Sequence, residues 1–578
     1  MINRKYYKSI LWFSLIATFY LVGCTKNLTQ VPKTQLSDPN FWKTTSDLSQ
    51  ACNYLYTFLN GLGSDDPSGF PSPLQDNYSD KAFGDRSIGF GDGSSIAAST
   101  SNEWTNYYEL IRAANNILEK SANVVGDQTL INRYKGEARF FRAMGYFELV
   151  KRFGDVPYIN RTLTLDDTLL YTGRTPRQAV VDSIYADLEF AAANCPQANA
   201  LAPAEYGRIT RSAALSYKSR VGLFEGTWDK FRSLSTANQN LQMAMNAAST
   251  VITEGNHSLY TAQGADSYLY EFQYDGGAAG NPIQTVPGGQ VNYTYATNKE
   301  NIIVKLYGQN LSNNIVSHNF GRQYLDQAHI APTRAMLDTY LYKDGLPQGI
   351  SPFDSSGKET SSLTEFQNRD PRLNMSVYNK NEITPSIGGL INYVPGITYR
   401  YRKYWIVSDW NANISFVNFS NLRYGEVLLN YAEALFELNG QISDADLNKT
   451  VNALRRRATN NDETKLPLLT NSFVSSHGLN MRTEIRRERT VELAFEGQSY
   501  WDLLRWKTAE DVLPKSILGR KYFSFENPSG TTPNLTPDGY VVLEAAANRK
   551  FDPKRDYLWS IPTKEIALND KLGQNPHW

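Results

Sequence analysis

The side chains able to do chemistry in this chain are scattered and form no recognisable catalytic motif. His257, His318, His329, His477 and His577 make no HExxH pair and none sits beside a cysteine cluster, so the i,i+4 spacing that puts two imidazoles on one metal is missing. Gly89-Phe90-Gly91-Asp92-Gly93 lacks the lysine of a phosphate loop and the third glycine of a dinucleotide loop, and reads as a turn. Asp444-Ala445-Asp446-Leu447-Asn448 begins like a calcium loop. Lys449 then stands where the tight turn needs glycine, and Arg455 where the closing glutamate should be. A helix start capped by Ser443 or Asp444 is the better reading. Arg486, Arg487, Glu488 and Arg489, followed by Glu492 and Glu496, look catalytic. At helical spacing they read instead as ion pairs and helix contacts, buried or at an edge. There is no GxSxG elbow and no CxxC pair. Neither a cofactor nor a metal is expected.

Cys24 is different. The chain opens with Arg4, Lys5 and Lys8, then an apolar run from Ile10 to Val22, then Gly23-Cys24. Thirteen apolar residues are too few for a permanent span, which needs about 20, but suit the h-region of a secretory signal. Leu21-Val22-Gly23-Cys24 resembles a bacterial lipobox, implying removal of residues 1–23 and lipidation of Cys24. Nothing else offers a long uninterrupted apolar run, so the lipid would be the only membrane anchor. Lys+Arg and Asp+Glu both number 58. Losing the three basic residues of the signal leaves a mature chain of about −3. That balance gives no basic excess to track a phosphate backbone, and nucleic-acid binding is not expected. Cys52 and Cys195 remain, with separate structural thiols preferred over a disulfide.

The elements that must position any site are mostly helices. Phe140, Met144, Phe147 and Val150 form one apolar face between Glu137 and Arg152, ended by Gly154 and Pro157. Val427, Tyr431, Leu435 and Leu438 form another over Arg423–Asn439, with Gly440 as C-cap. Arg482–Trp506 reads as a third helical stretch that Gly497 can kink or open to a close neighbour. Further helices are expected at Thr45–Leu59, Trp104–Lys120, Thr175–Ala193, Ser212–Glu225, Leu241–Thr253, Thr333–Tyr342 and Asp444–Ala458. Helices of this length joined by short loops suggest stacked hairpins similar to tetratricopeptide repeats, without the exact 34-residue signature. The fold class is therefore mainly α, a helical-hairpin scaffold with an irregular, loop-rich part.

That loop-rich part concentrates aromatic residues. The chain holds 36 Tyr, 26 Phe and 10 Trp. Tyr268, Tyr270, Phe272, Tyr274, Tyr293 and Tyr295 fall in a Gly- and Pro-broken stretch between Tyr260 and Gln323, and Tyr404, Trp405 and Trp410 in a second from Asp344 to Ser420. Long loops in a compact protein are more often functional than ornamental. Tyr146, Tyr431 and Tyr500, set in helical patterns, read as core, and Trp501, Trp506, Trp559 and Trp578 as packing anchors.

Four segments now carry a resemblance. Lys135–Ile159 (KGEARFFRAMGYFELVKRFGDVPYI), Leu422–Leu435 (LRYGEVLLNYAEAL), Ile485–Lys507 (IRRERTVELAFEGQSYWDLLRWK) and Tyr557–Pro576 (YLWSIPTKEIALNDKLGQNP) resemble the signatures of SusD/RagB-like outer-membrane lipoproteins. Weaker matches are VPKTQLSDPNFW after the lipobox, GRITRSAALSYKSRVGLF around Ala213 and RDPRL at Arg369–Leu373. They occur in family order over almost the whole mature chain. The resemblance implies a SusD-like fold and a cell-surface lipoprotein that binds oligosaccharide for a SusC-like TonB-dependent transporter in the outer membrane. Thr25-Lys26-Asn27-Leu28-Thr29 lacks the acidic run often linked to surface export, which leaves the leaflet open. The expected organisation is 1–23 signal, 24–44 tether, 45–259 first helical part, 260–420 ligand-binding loops and 421–578 C-terminal helical part.

A pyranose offers C–H groups to an aromatic ring and hydroxyls to Asp, Asn and Arg. On that ground the expected ligand residues are Asp76, Asp80 and Arg86 in one stretch, Tyr268, Tyr270, Tyr274, Tyr293 and Tyr295 in a second, with Trp405 and Trp410 joining them. The alternatives are a peptide ligand, a surface glycosidase whose carboxylate pair no sequence feature selects, or a pure docking scaffold.

Overall fold

The computed structural model describes residues 41–84, 89–275, 291–379, 399–526 and 531–578. Cys24, Arg86 and the glycines of 276–289 therefore lie outside the described residues. Among the described residues the α-helices of seven residues or more are α1 (Thr45–Leu55), α2 (Asn102–Lys120), α3 (Gln128–Phe153), α4 (Arg177–Asn194), α5 (Arg211–Lys230), α6 (Ala237–Glu254), α7 (Tyr424–Asn439), α8 (Val451–Thr459), α9 (Met481–Glu492) and α10 (Ser499–Arg505).

Local sequence sets their ends. Thr44 and Asp47 form a reciprocal capping box on α1. Ser101 caps α2, Asp127 α3 and Thr210 α5. Gly255 and Gly440 close α6 and α7 in left-handed conformation. From Gly136 to Phe153 every residue of α3 except Arg139 is buried, the mark of a helix surrounded by others. It packs between α2 and α4, while α5 packs on α6 and α6 on α7. Gly222 and Gly226 let α5 and α6 touch backbone to backbone, because a Cβ there would stand 2.7 Å from the Ala244 and Leu241 amides.

Two of the expected helices are broken. The stretch from Arg482 to Trp506 stops at Glu492, turns through Phe495 (φ 63°) and Gly497 (φ 74°), and restarts at Ser499. A Cβ on Gly497 would sit 2.5 Å from the Ser72 carbonyl, so the close-approach reading of that glycine is the one observed. Asp444–Ala458 divides at Thr450 (φ −120°, ψ −96°), and Ser443 caps its first half as expected.

Strands are few and short. β1 (Asn301–Lys305) pairs antiparallel with β2 (Phe419–Arg423), with Asn301 opposite Arg423 and Lys305 opposite Phe419, and β2 runs straight into α7. β3 (Ile517–Lys521) pairs with β4 (Tyr540–Glu544). The main core lies among α1–α5 and takes in Tyr557, Trp559, Ile561 and Leu572 from the C-terminal end. Cys52 and Cys195 are both free and buried there. Tyr146, Tyr500, Trp501, Trp506 and Trp559 are buried as expected. Tyr431 is only half-buried, its hydroxyl 3.2 Å from Asp446. Among the described residues no helix is long and apolar enough to cross a membrane.

Candidate functional site

The loop-rich part is held by a second core of its own. Tyr268, Phe272, Tyr274, Tyr307, Phe320, Tyr324, Tyr401, Tyr404, Trp405, Phe416, Phe419 and Phe495 pack there. Tyr401 stacks on Phe495 at 3.9 Å and 9°. Tyr404 and Phe495 both adopt positive φ, a conformation costing a bulky residue about 1–2 kcal/mol, which dense packing must offset.

Half of the residues expected to meet ligand are buried, and three of them, Tyr268, Tyr274 and Trp405, belong to this core. Tyr268 is fully buried and donates its hydroxyl to the Glu492 carbonyl at 2.7 Å. Tyr274 donates to Asp409 Oδ2 at 2.9 Å and accepts from the Phe416 amide at 2.8 Å. Tyr293 donates to the Tyr270 carbonyl at 2.9 Å. Trp405 is 2 % exposed, with Tyr378 against it edge-on. Asp76, 1 % exposed, accepts from the Ser499 and Gly497 amides and ties its loop to the turn before α10. Burial pushes the Asp76 carboxyl up to about 7, against those two hydrogen bonds. These five are internal in this structure. Irregular backbone must bury apolar mass somewhere, and rings with a polar tip do so while satisfying backbone groups that no helix satisfies.

Asp80, Tyr270, Tyr295 and Trp410 keep exposed surface. Asp80 pairs with Lys81 at 3.0 Å. Tyr295 lies beyond α6, its hydroxyl donated to the Asn256 carbonyl and its ring edge-on to His257. Trp410 stands on the short helix Val407–Ala412, which Asn413 closes at φ 55°. The expected cluster is thus divided over different elements.

Trp410 is the ring with the most elaborate support. The Arg322 guanidinium lies over the indole, 5.0 Å from its centroid, and also reaches the Trp410 carbonyl at 3.4 Å. Trp410 Nε1 donates to Asp326 Oδ2 at 3.3 Å. Arg322 and Asp326 come from a π-helical turn, Gly321–Leu325 and the residue capping it, a geometry frequent at functional positions. Arg400 donates to the Leu325 and Asp326 carbonyls at 2.6 and 2.7 Å and holds that turn. Beside Trp410, Asp409 accepts from Tyr274 and Ser415, and burial pushes its carboxyl up to about 6. An indole fixed in place, with a guanidinium over one face and the Asp326 carboxylate at its N–H edge, can stack on a sugar face while these groups hydrogen-bond its hydroxyls. Arg322, Asp326 and Asp409 were not among the expected residues. Nothing in Phe320-Gly321-Arg322-Gln323-Tyr324-Leu325-Asp326 announces a π turn.

Of the charged motif, Glu488, Arg489, Glu492 and Glu496 are internal, and Arg486 and Arg487 are partly buried. Arg423 bridges Glu300, Glu492 and Glu496 at 2.7–2.9 Å, and Arg457 joins Glu300 and Glu492. Arg372 pairs with Asp370, Glu488 and Glu492, Arg455 with Glu488, and Lys403 with Glu496. This network pins α7, α8 and α9 to the loop-rich part, as the structural reading of those charges requires. Arg489 pairs with Asp502 on α10 and Arg505 with Glu433 on α7.

Helical hairpins carrying a loop-built face with its own aromatic base define a SusD-like architecture. A SusD-like carbohydrate-binding protein from Bacteroides fragilis NCTC 9343 has the same fold, with TM-score 0.73 and 24% identity over 92% of this chain and 99% of that one. A second SusD-like protein of that organism gives 0.69 and 23% over 94% and 99%. Residues 391–578 match the model of the SusD family, and residues 39–223 one described as starch-binding associating with outer membrane. SusD-like protein P2 of Formosa agariphila is 25% identical over 97% of this chain and 98% of its own length. The chain belongs to the SusD/RagB-like family.

Proposed function

We propose that this protein is a non-catalytic, lipid-anchored glycan-binding protein of the outer membrane. It captures oligosaccharide on the loop-built face centred on Trp410 and passes it to a TonB-dependent transporter. The observation that carries the reading is the half-exposed Trp410 indole, oriented by Arg322 and Asp326. Support for the ligand class comes from the carbohydrate-binding description of the Bacteroides fragilis relative and the starch-binding family model. Lipidation at Cys24 and the transporter follow from the lipobox and the family resemblance. Asp80, Arg86, Tyr270 and Tyr295 are proposed as outlying contacts.

Calorimetric titration of the mature chain, begun after Cys24, against a broad oligosaccharide panel tests this. Unchanged glycan should be recovered after binding, with weak affinity sufficient beside a transporter. Trp410→Ala should weaken binding at least about tenfold, the effect of losing about 1.4 kcal/mol. Binding of peptides but no glycan, or glycan binding untouched by Trp410→Ala, would overturn the reading.

A further inference from the structure

The buried ion network closes on itself in charge. Arg372, Lys403, Arg423, Arg455 and Arg457 face Asp370, Glu300, Glu488, Glu492 and Glu496, five cations and five carboxylates. Glu271 is a sixth carboxylate beside it, 6 % exposed, repelled by Glu300 and attracted by Arg423 and Arg457. The Arg423 and Arg457 terminal nitrogens are already bonded to Glu300, Glu492 and Glu496. Asn298 Nδ2 donates to Glu271 Oε2 at 2.8 Å. Glu271 Oε1 is buried with no hydrogen-bond partner, and so are Gln273 Oε1 and the Tyr404 hydroxyl. All three residues line one small cavity of about 10 Å³, the size of a single water or bare ion.

Chain geometry makes this convergence. Glu271 and Gln273 follow the short helix Ser267–Tyr270, with Phe272 between them anchored in the aromatic core. Tyr404 arrives from the other side in its left-handed turn. The residues carrying two unpartnered acceptor oxygens and a hydroxyl line this cavity together with Asn292, Tyr293, Asn301, Asn418 and Ser420, beside a network one positive charge short of balance. A water could bridge them but would leave the charge uncompensated, and burying an unpaired carboxylate is costly. A divalent ion would overshoot by one charge. Oxygen-only ligands suit a hard cation.

We infer that Glu271 Oε1, Gln273 Oε1 and the Tyr404 hydroxyl hold a monovalent alkali cation, Na⁺ or K⁺, which completes the charge balance of the buried network and fixes the loop-built face to the scaffold. The competing occupant is a proton on Glu271, towards which burial and Glu300 both push it.

Thermal unfolding of the purified mature protein in sodium, potassium or choline chloride, at equal ionic strength, separates the two. The wild type should unfold about 2 °C or more higher in one alkali chloride than in choline chloride. Glu271→Gln, neutral and of the same shape, should lose that dependence. Tyr404→Phe, which keeps the ring and removes one ligand, should reduce it, and covers the case in which the first variant does not fold. Equal midpoints for the wild type in all three salts would overturn the proposal and leave Glu271 protonated. A cation effect that both variants retain in full would also overturn it. Neither result bears on Trp410 or on the glycan reading.

Discussion

The helical scaffold and the loop-rich part each bury a core, and the two are built from different material. A third of the scaffold core is aromatic, the rest being mainly Leu, Ile, Val and Ala on helix faces. More than half of the second core is aromatic. Helices satisfy their own backbone, so their side chains need only fill space. Irregular chain leaves amides and carbonyls unpaired, and here tyrosine hydroxyls take them up. Tyr268 serves the Glu492 carbonyl, Tyr293 the Tyr270 carbonyl, Tyr274 the Phe416 amide and Tyr307 the Leu62 amide. A tyrosine in this part is therefore a structural element first, and only rings left at its edge are available for recognition.

The joint between the two parts should break hardest. Arg423 ends β2, touches three carboxylates and is 1 % exposed. Arg423→Ala should cost about 3–5 kcal/mol, because Glu300, Glu492 and Glu496 are left with too little positive charge in a dry interior. Urea denaturation of both proteins measures it. A loss below about 1 kcal/mol would mean that the two cores do not depend on this network.

Acid–base behaviour separates the parts next. In irregular chain, burial raises the carboxyl of Asp76, between α1 and α2, to about 7 and that of Asp409, in the loop-rich part, to about 6. Between the unfolded value near 4 and those values the folded state holds protons that the unfolded chain has released. These groups therefore lower stability as pH rises from about 4 to 7. In the scaffold, Lys151 is depressed to about 7 by burial, so it adds stability as pH rises from about 7 towards 10. Glu148, held near 2 by Lys151 and Arg152 despite burial, contributes stability above the usual glutamate value that is lost as pH falls towards 2. Asp76→Asn should flatten the decline between pH 4 and 7 by up to about 1.4 kcal/mol per pH unit, read from denaturation midpoints across that range. An unchanged slope would show that Asp76 does not titrate there.

Removing single hydroxyls sharpens the contrast at lower cost. Tyr268→Phe keeps the ring but removes a 2.7 Å hydrogen bond to the Glu492 carbonyl, which retains Arg423 Nη2 as its other donor, and should cost about 0.5–1.5 kcal/mol. In the scaffold the Tyr217 hydroxyl reaches only Glu148 Oε1, at 3.5 Å, and Lys151 and Arg152 already pair with that carboxylate. Tyr217→Phe should stay within about 0.5 kcal/mol. Equal losses in the two variants would contradict the idea that tyrosine replaces secondary structure in the loop-rich part.

Most of the scaffold was legible in the sequence because helix periodicity and caps are local signals. Phe140, Met144, Phe147 and Val150 announce α3, and Gly440 marks the end of α7. The break at Glu492 was not, since it depends on Gly497 meeting the Ser72 carbonyl, more than four hundred residues away in sequence. The charged motif was legible as structural for the same local reason, helical spacing. The ligand face was only partly legible. Gly and Pro enrichment located the irregular stretches, but the choice between ring as core and ring as platform depends on tertiary packing, which reverses the expectation for Tyr268 and Trp405. Arg322 and Asp326 carry no spacing signal, because a π turn places them and Trp410 orients them from 84–88 residues away.

Trp405 and Trp410, five residues apart, one just before the helix Val407–Ala412 and one on it, bring the comparison to a single short segment. Trp405 is enclosed by the aromatic core, and Trp405→Ala should leave a cavity costing about 3–5 kcal/mol. Trp410 is half-buried, held by one cation–π contact and one hydrogen bond to Asp326 at 3.3 Å. Trp410→Ala should change stability by about 1 kcal/mol or less, since those partners are themselves near solvent and can rehydrate. The unfolding midpoints of the two variants decide it. A Trp410→Ala loss as large as that of Trp405→Ala would make both rings core and remove the platform. A near-neutral Trp410→Ala that still binds glycan at full strength would keep the two-core description and move recognition towards Tyr270 or Tyr295. The informative outcome is the asymmetric one, stability held by Trp405 and affinity by Trp410, because it would show that the irregular part builds its interior and its binding surface from the same residue type and separates them by depth alone.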